Sequence, residues 1–98
     1  MKGNTVSKNV VTEPIQEAPG WYYGEVDDYI FNAQVDNEDS TCGIGNSRVI
    51  TLFVYSIKDN VKPVMDYQRG WEIYPRGRKL EAVLDRILDH MENLPKIS

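Results

Sequence analysis

The sequence predicts an α+β fold in which a four-stranded antiparallel meander carries one C-terminal helix on one face, in the order ββββα. Two observations predict it: short runs of aromatic and β-branched residues separated by turn formers, and a single amphipathic helical pattern near the C-terminus. The chain has 98 residues, of which 41% are hydrophobic and 27% charged, which suits one globular domain. This length excludes a dinucleotide-binding fold joined to a separate substrate domain.

The first two strands are predicted to form a hairpin. Residues 21–26 are rich in aromatic side chains, and residues 29–35 alternate between two sides. Asp27 and Asp28 lie between these runs, and two turn-forming residues between two strands are typical of a β-hairpin.

The third predicted strand covers residues 48–57 and has apolar side chains on both alternating sides, which is typical of the centre of a sheet. The fourth covers residues 64–74 and alternates, with Arg69 and Gly70 interpreted as a bulge and Pro75 as its end. Because consecutive strands pair most simply with each other, the four strands are expected to form a meander.

The helix is predicted from an apolar stripe with spacings of three and four residues. Its members are Leu80, Val83, Leu84, Ile87, Leu88 and Met91. Gly77 is the expected N-cap, and Asn93 and Pro95 mark the end. One helix covers one face of a sheet, so the second face is left for the N-terminal residues, a second copy of the chain or another protein.

Residues 1–19 are predicted to be a flexible N-terminal leader, and residues 20–95 a single α+β domain. The leader contains Pro14 and Pro19 and shows no sustained hydrophobic period. An alternative is that Val10, Val11 and Ile15 dock on the domain, as an added edge strand or as a peptide in a groove. The absence of a secretory signal and the single cysteine predict a cytoplasmic protein.

Charge is distributed unevenly along the chain. Between Lys8 and Arg48 there are eight acidic residues and no Lys or Arg, within a chain of net charge −4. This asymmetry predicts an acidic surface for a basic protein partner. The alternative is that these carboxylates are only solvated turn and loop residues. The candidate partner-binding residues are Glu25, Asp27, Asp28, Asp36, Glu38 and Asp39.

A second candidate site is basic and surrounds the start of the helix. Helix N-termini carry unpaired N–H groups, so cations there favour a bound nucleotide or other small anion. The alternative is that these cations pair with Glu72, Glu81 or the acidic loops. The candidate anion-binding residues are Arg69, Trp71, Arg76, Arg78 and Lys79.

The sequence predicts no enzyme, no metal site and no cofactor. Cys42 and His90 are too few for a closed zinc site, and residues 36–47 have Thr41 and Ser47 where a calcium loop needs Gly and Glu. Residues 43–45 (GIG) precede a strand, whereas a phosphate-binding fingerprint opens a helix. The negative charge disfavours nucleic acid, although strand aromatics leave base stacking as an alternative. No membrane partner is predicted.

Three motifs point to a family: residues 20–26 (GWYYGEV), 43–44 (GI) ahead of Arg48, and 67–71 (YQRGW) before a closing helix. Over roughly residues 20–92 the chain resembles a group of small uncharacterised proteins from phages and prophages of Gram-positive bacteria. This chain has Gln68 where the group tends to have Asp. The resemblance implies a domain with no assigned reaction that works, if phage-borne, in the host cytoplasm.

The sequence therefore predicts a small non-enzymatic protein-binding module. Its most specific form is a phage-encoded inhibitor of a host defence protein, acting through the acidic residues. A homodimer that covers the second sheet face is a further partner hypothesis, and the anion binder is the alternative function.

Overall fold

The computed structural model describes residues 10–95, which form one six-stranded antiparallel sheet and a C-terminal helix. The strands are β1 (Val11–Pro14), β2 (Trp21–Val26), β3 (Tyr29–Val35), β4 (Val49–Ser56), β5 (Lys62–Gln68) and β6 (Trp71–Ile73), followed by α1 (Arg78–Glu92). Each strand pairs with the next along the chain. The α+β class, the meander order and the C-terminal helix are confirmed, whereas the prediction of four strands is wrong.

The first extra strand arises because residues 64–74 form two strands rather than one. Arg69 has a φ of 61°, and the N–H of Gln68 donates to the carbonyl of Gly70 at 2.9 Å. The chain reverses there, and Tyr67 pairs with Trp71. A positive φ beside a glycine occurs both in β-bulges and in tight turns. The sequence Arg69–Gly70 therefore does not show whether a bulge or a turn forms there.

The second extra strand, β1, comes from the predicted leader. It pairs antiparallel with β2, so that Val11 lies opposite Glu25 and Pro14 opposite Tyr22. Three of its four residues are exposed, so no hydrophobic alternation marks it in the sequence. β1 corresponds to the alternative of an added edge strand. The leader before residue 10 lies outside the described residues.

The core lies between α1 and one face of the sheet. The strand residues on this face include Phe31, Ala33, Leu52, Val54 and Met65, all fully buried. From the helix, Val83, Leu84, Ile87 and Met91 pack against them. Burying an aliphatic or aromatic side chain stabilises a fold by about 1.5–3 kcal/mol, so this layer is the main source of stability.

The loop between β3 and β4 is tied to the end of α1 by the buried side chain of Arg48. Its Nε donates to the carbonyl of Asp36 at 2.8 Å, and its Nη1 donates to the carbonyls of Leu94 at 2.9 Å and Glu92 at 3.2 Å. The N–H of Arg48 donates to Glu92 Oε2 at 3.0 Å. One residue therefore connects the sheet, the loop and the helix C-terminus.

Candidate functional site

The sheet face opposite α1, here called the open face, has no described helix or loop packed across it. Its side chains follow from the strand registers and from the alternation of side chains along each strand. They are Val11 and Glu13 of β1, Trp21, Tyr23 and Glu25 of β2, Ile30, Asn32 and Gln34 of β3, Thr51, Phe53 and Tyr55 of β4, and Asp66 and Gln68 of β5. All are exposed or half-buried except Thr51.

The open face combines aromatic rings with negative charge. Four of its residues are aromatic and three are acidic, and none of the residues that define it is Lys or Arg. The acidic ones are Glu13, Glu25 and Asp66. None of these three carboxylates forms an ion pair within residues 10–95. The face is therefore chemically suited to cationic groups.

Tyr23 lies beside two carboxylates of the open face, and its hydroxyl donates to Glu25 Oε2 at 3.2 Å. Glu13 lies opposite Tyr23 in the sheet. Partial burial, the hydrogen bond to Glu25 and the charges of Glu25 and Glu13 raise the pKa of Tyr23 above its ordinary 10.0. Deprotonation would add a negative charge to a region that already has two.

We expect Glu25→Gln to lower the pKa of Tyr23 toward 10.0, because the substitution removes one of the charges that oppose its ionisation. The folded protein holds the Tyr23 proton more tightly than the unfolded chain does. The resulting stability is present below the ordinary tyrosine pKa and is lost as the pH rises through the folded-state pKa. The ring-carbon NMR signals of labelled tyrosine measure the shift, with Asp39→Asn as control. An unchanged Tyr23 titration in Glu25→Gln would contradict this account.

One end of the open face is concave. A depression of about 350 Å³ is lined there by Trp21, Thr51, Phe53 and Gln68 and by Arg69 of the β5–β6 turn. Thr51 also donates from its hydroxyl to Gln34 Oε1 at 3.0 Å.

The six acidic residues predicted for partner binding are not brought onto one surface. Three lie at the β2–β3 end of the sheet and three in the loop after β3, so a strand of seven residues, about 20 Å long, separates the groups. The first group is Glu25, Asp27 and Asp28, and the second is Asp36, Glu38 and Asp39. Two of them pair with cations: Asp27 with Arg86 at 2.8 Å and Asp28 with Lys58 at 3.2 Å. Of the six, Glu25 lies on the open face.

The predicted anion-binding residues are divided as well. Arg69 lies in the β5–β6 turn, whereas Arg76, Arg78 and Lys79 follow the other end of β6. The Nζ of Lys79 lies 5.9 Å from the ring centroid of Tyr29, a cation–π contact. The ring of Trp71 makes edge contacts with Tyr67 at 4.9 Å and Tyr74 at 5.1 Å. Trp71 therefore belongs to an aromatic row that leads from the core to the surface.

The residues considered for metal binding have structural contacts. His90 Nε2 lies 2.9 Å from Thr12 Oγ1, which connects α1 to β1, and the carbonyl of Cys42 accepts a hydrogen bond from the Tyr67 hydroxyl at 2.8 Å. Within residues 10–95, no three His, Cys, Asp or Glu side chains are grouped so that they could hold a metal ion.

Sequence reasoning missed Glu13 and Asp66 as members of the open face. The two-residue turn at Asp27 and Asp28 sets the register of β2 against β3, so Glu25 could be placed from the sequence. Glu13 needed the pairing of β1, and Asp66 needed the pairing of β5 with β4. The pairing of β1 has no local signal in the sequence, and the register of β5 against β4 is shifted by an irregularity between Val54 and Tyr55.

The fold and these surfaces define a small α+β protein with one helix-covered sheet face and one open face. The chain belongs to a family described as a domain of unknown function (DUF7678), whose model matches residues 20–92. The resemblance to an uncharacterised domain is thereby confirmed, and the phage and Gram-positive origin stays a prediction. No curated protein and no solved structure matches the chain significantly. None of the helices within residues 10–95 has the length and apolar character needed to span a membrane.

Proposed function

We propose that this protein is a non-enzymatic binding module whose open face binds a basic segment of a protein partner. The observation that carries the proposal is the combination of four aromatic side chains and three carboxylates among the strand residues of this face, where Arg69 of the β5–β6 turn is the cation that lines the depression. The partner is accordingly defined by its chemistry: a surface or segment with several Arg or Lys side chains.

Each component of the open face has a role in such binding. The rings of Trp21 and Phe53 beside the depression provide apolar contact area, and aromatic faces attract Arg and Lys. Carboxylates at Glu13, Glu25 and Asp66 accept charge-assisted hydrogen bonds, which are bidentate with Arg. The aromatic rings supply most of the affinity, whereas the carboxylates select cations.

The same charges disfavour a homodimer through the open face. In a twofold-symmetric dimer, the same patch of each copy forms the interface. The carboxylates of the two copies would then face each other, and none of the strand residues that define the open face is a cation that could offset them. Like charges across an interface are unfavourable. The open face also repels a nucleic-acid backbone, so a basic protein is the favoured partner class.

The more specific hypothesis, a phage-encoded inhibitor of a host defence protein in the host cytoplasm, depends on the resemblance. It is compatible with the open face, because nucleases bind DNA through basic channels that a negatively charged, aromatic surface would also attract. In this hypothesis the open face competes with nucleic acid for the same Arg and Lys side chains.

The proposal is tested by NMR titration of the labelled protein with an oligo-arginine peptide at physiological salt, with an oligo-glutamate peptide as comparison. We expect oligo-arginine to shift the signals of Trp21, Tyr23 and Phe53 and oligo-glutamate to leave them unchanged. The triple variant Glu13→Gln, Glu25→Gln, Asp66→Asn is expected to weaken oligo-arginine binding about tenfold, since each exposed ion pair contributes roughly 0.2–1 kcal/mol.

The matched control is Asp36→Asn, Glu38→Gln, Asp39→Asn, which removes the same number of charges from the loop after β3. This control is expected to bind oligo-arginine less than about twofold more weakly than the parent protein. Equal losses in the two triple variants would mean that net charge alone attracts the peptide, and the proposal would be rejected.

A further inference from the structure

A groove lies between the start of β5, the end of β6 and the first turn of α1. It has a volume of about 420 Å³, within the range of small-molecule sites in proteins. Val64, Ile73, Tyr74 and Leu80 form its apolar walls, and Lys62 and Arg76 are its charged residues. None of the aromatic and acidic residues named for the proposed partner surface lines this groove, although Ile73 pairs with Asp66 in the sheet.

The apolar walls include two of the large hydrophobic side chains that the fold leaves exposed. Ile73 is 37% and Tyr74 57% exposed. Val64 and Leu80 pack against the buried core, and the Tyr74 ring makes an edge contact with Trp71, which in turn contacts Tyr67. The walls are therefore anchored to the core, and a ligand finds them already positioned.

The charged residues of the groove are both cations. Neither Lys62 nor Arg76 forms an ion pair with a residue in the described range 10–95, and no carboxylate lines the groove. Arg offers a planar fork of donors and Lys a mobile point charge, and both suit a carboxylate. An apolar surface with cations at its margin is complementary to a molecule with an apolar body and an anionic head.

We propose that this groove binds a small amphiphilic carboxylate, in which an aliphatic chain or ring lies against Val64, Ile73 and Leu80 while its head group pairs with Lys62 and Arg76. The sequence suggested a nucleotide or other small anion, and of these two the groove suits a small anion with an apolar body. A nucleotide presents a polar ribose and several phosphate charges, for which the largely apolar walls offer few partners. Of the other three cations of that predicted cluster, Arg78 and Lys79 do not line the groove, and Arg69 lies at the other end of β5.

The test is an NMR titration of the full-length protein with sodium octanoate below its micelle concentration. We expect saturable shifts centred on Val64, Ile73, Tyr74 and Leu80, with a dissociation constant on the order of 1 mM, as ligand efficiency suggests for a compound of this size. Octyltrimethylammonium has the same chain with the opposite charge, and acetate has the head group without the chain. Both are expected to bind at least about tenfold more weakly than octanoate.

The double variant Lys62→Gln, Arg76→Gln is expected to weaken octanoate binding about tenfold, because each head-group ion pair is solvent-exposed and of modest strength. Both residues are exposed, so the melting temperature should stay unchanged and show that the variant is folded. Lys58→Gln, which removes a nearby cation that pairs with Asp28, is the control and is expected to retain binding. Equal binding of octanoate and octyltrimethylammonium, or full affinity in the double variant, would overturn the proposal, as would the absence of saturable shifts.

Discussion

Replacing Gly24 with alanine is expected to destabilise the protein by about 3 kcal/mol, at the upper end of the usual cost of overpacking a core. A Cβ atom at Gly24 would lie 2.1 Å from Cζ of Phe31 and 2.5 Å from both of its Cε atoms. Phe31 is fully buried in the layer under α1, so its ring moves only if its neighbours also move. The lower backbone entropy of unfolded alanine favours the variant by about 0.4–1 kcal/mol, which is too small to offset the overlap.

Thermal or urea unfolding measures this effect, with Gly70→Ala as the control. No atom lies within 4 Å of a Cβ built on Gly70, so that variant should remain within about 1 kcal/mol of the parent. In the Gly24→Ala background, Phe31→Leu removes the outer ring atoms that overlap. The two substitutions should therefore cost at least about 1 kcal/mol less together than the sum of their separate effects. Additive losses would show that the overlap with Phe31 is not the cause.

The close approach of Gly24 and Phe31 shows what sequence patterns can provide. Asp27 and Asp28 form the turn, so residues equally distant from it lie opposite each other, and Gly24 faces Phe31. A glycine within a strand often marks such a close approach. The hairpin, the central position of β4 and the apolar stripe of α1 could be predicted in the same way, because each leaves a local pattern of apolar and turn-forming residues in the sequence.

The number of strands could not be predicted from the sequence, because both β1 and the β5–β6 turn depend on backbone hydrogen bonds. β1 is an edge strand with three exposed positions, and it is specified by pairing with β2 rather than by hydrophobic alternation. The β5–β6 turn depends on the positive φ of Arg69, which a non-glycine residue adopts only where neighbouring contacts enforce it. Neither feature has a composition that distinguishes it from a loop or a bulge.

For the candidate site, too, the features that depend on nearby residues could be predicted from the sequence, whereas those that depend on strand pairing could not. The excess of acidic residues before Arg48 is evident in the sequence, but the division of six of these eight residues between the two ends of β3 depends on the hairpin geometry. The open face collects Glu13 and Asp66 from strands that are more than fifty positions apart in the chain. Charge density along a sequence therefore indicates a class of partner, whereas strand register determines which carboxylates can contact it together.

Replacing Arg48 with methionine is expected to destabilise the fold by about 3 kcal/mol, because hydrogen bonds from a charged donor contribute roughly 1.5–3 kcal/mol each and some carbonyls regain water. The guanidinium is buried and donates to three carbonyl groups, of which those of Glu92 and Leu94 belong to the C-terminal end of α1 and the residues after it. A cation is favourable there because the helix dipole places partial negative charge at its C-terminus. Methionine keeps the apolar stem but removes all the donors.

Arg48→Lys separates the charge from the geometry of the guanidinium. Lysine keeps the positive charge, but its single ammonium group cannot reproduce the fork that reaches Asp36 and Leu94 together, so an intermediate loss of about 1.5 kcal/mol is expected. Urea unfolding gives these values, and Arg78→Met at an exposed helix position serves as the control. Hydrogen exchange should accelerate in residues 36–47 and in the last turn of α1 of Arg48→Met, while the hydrogen bond from the N–H of residue 48 to the Glu92 carboxylate is retained. If lysine restored full stability, the charge alone would account for the stabilisation, and the connection between loop and helix would not depend on the guanidinium.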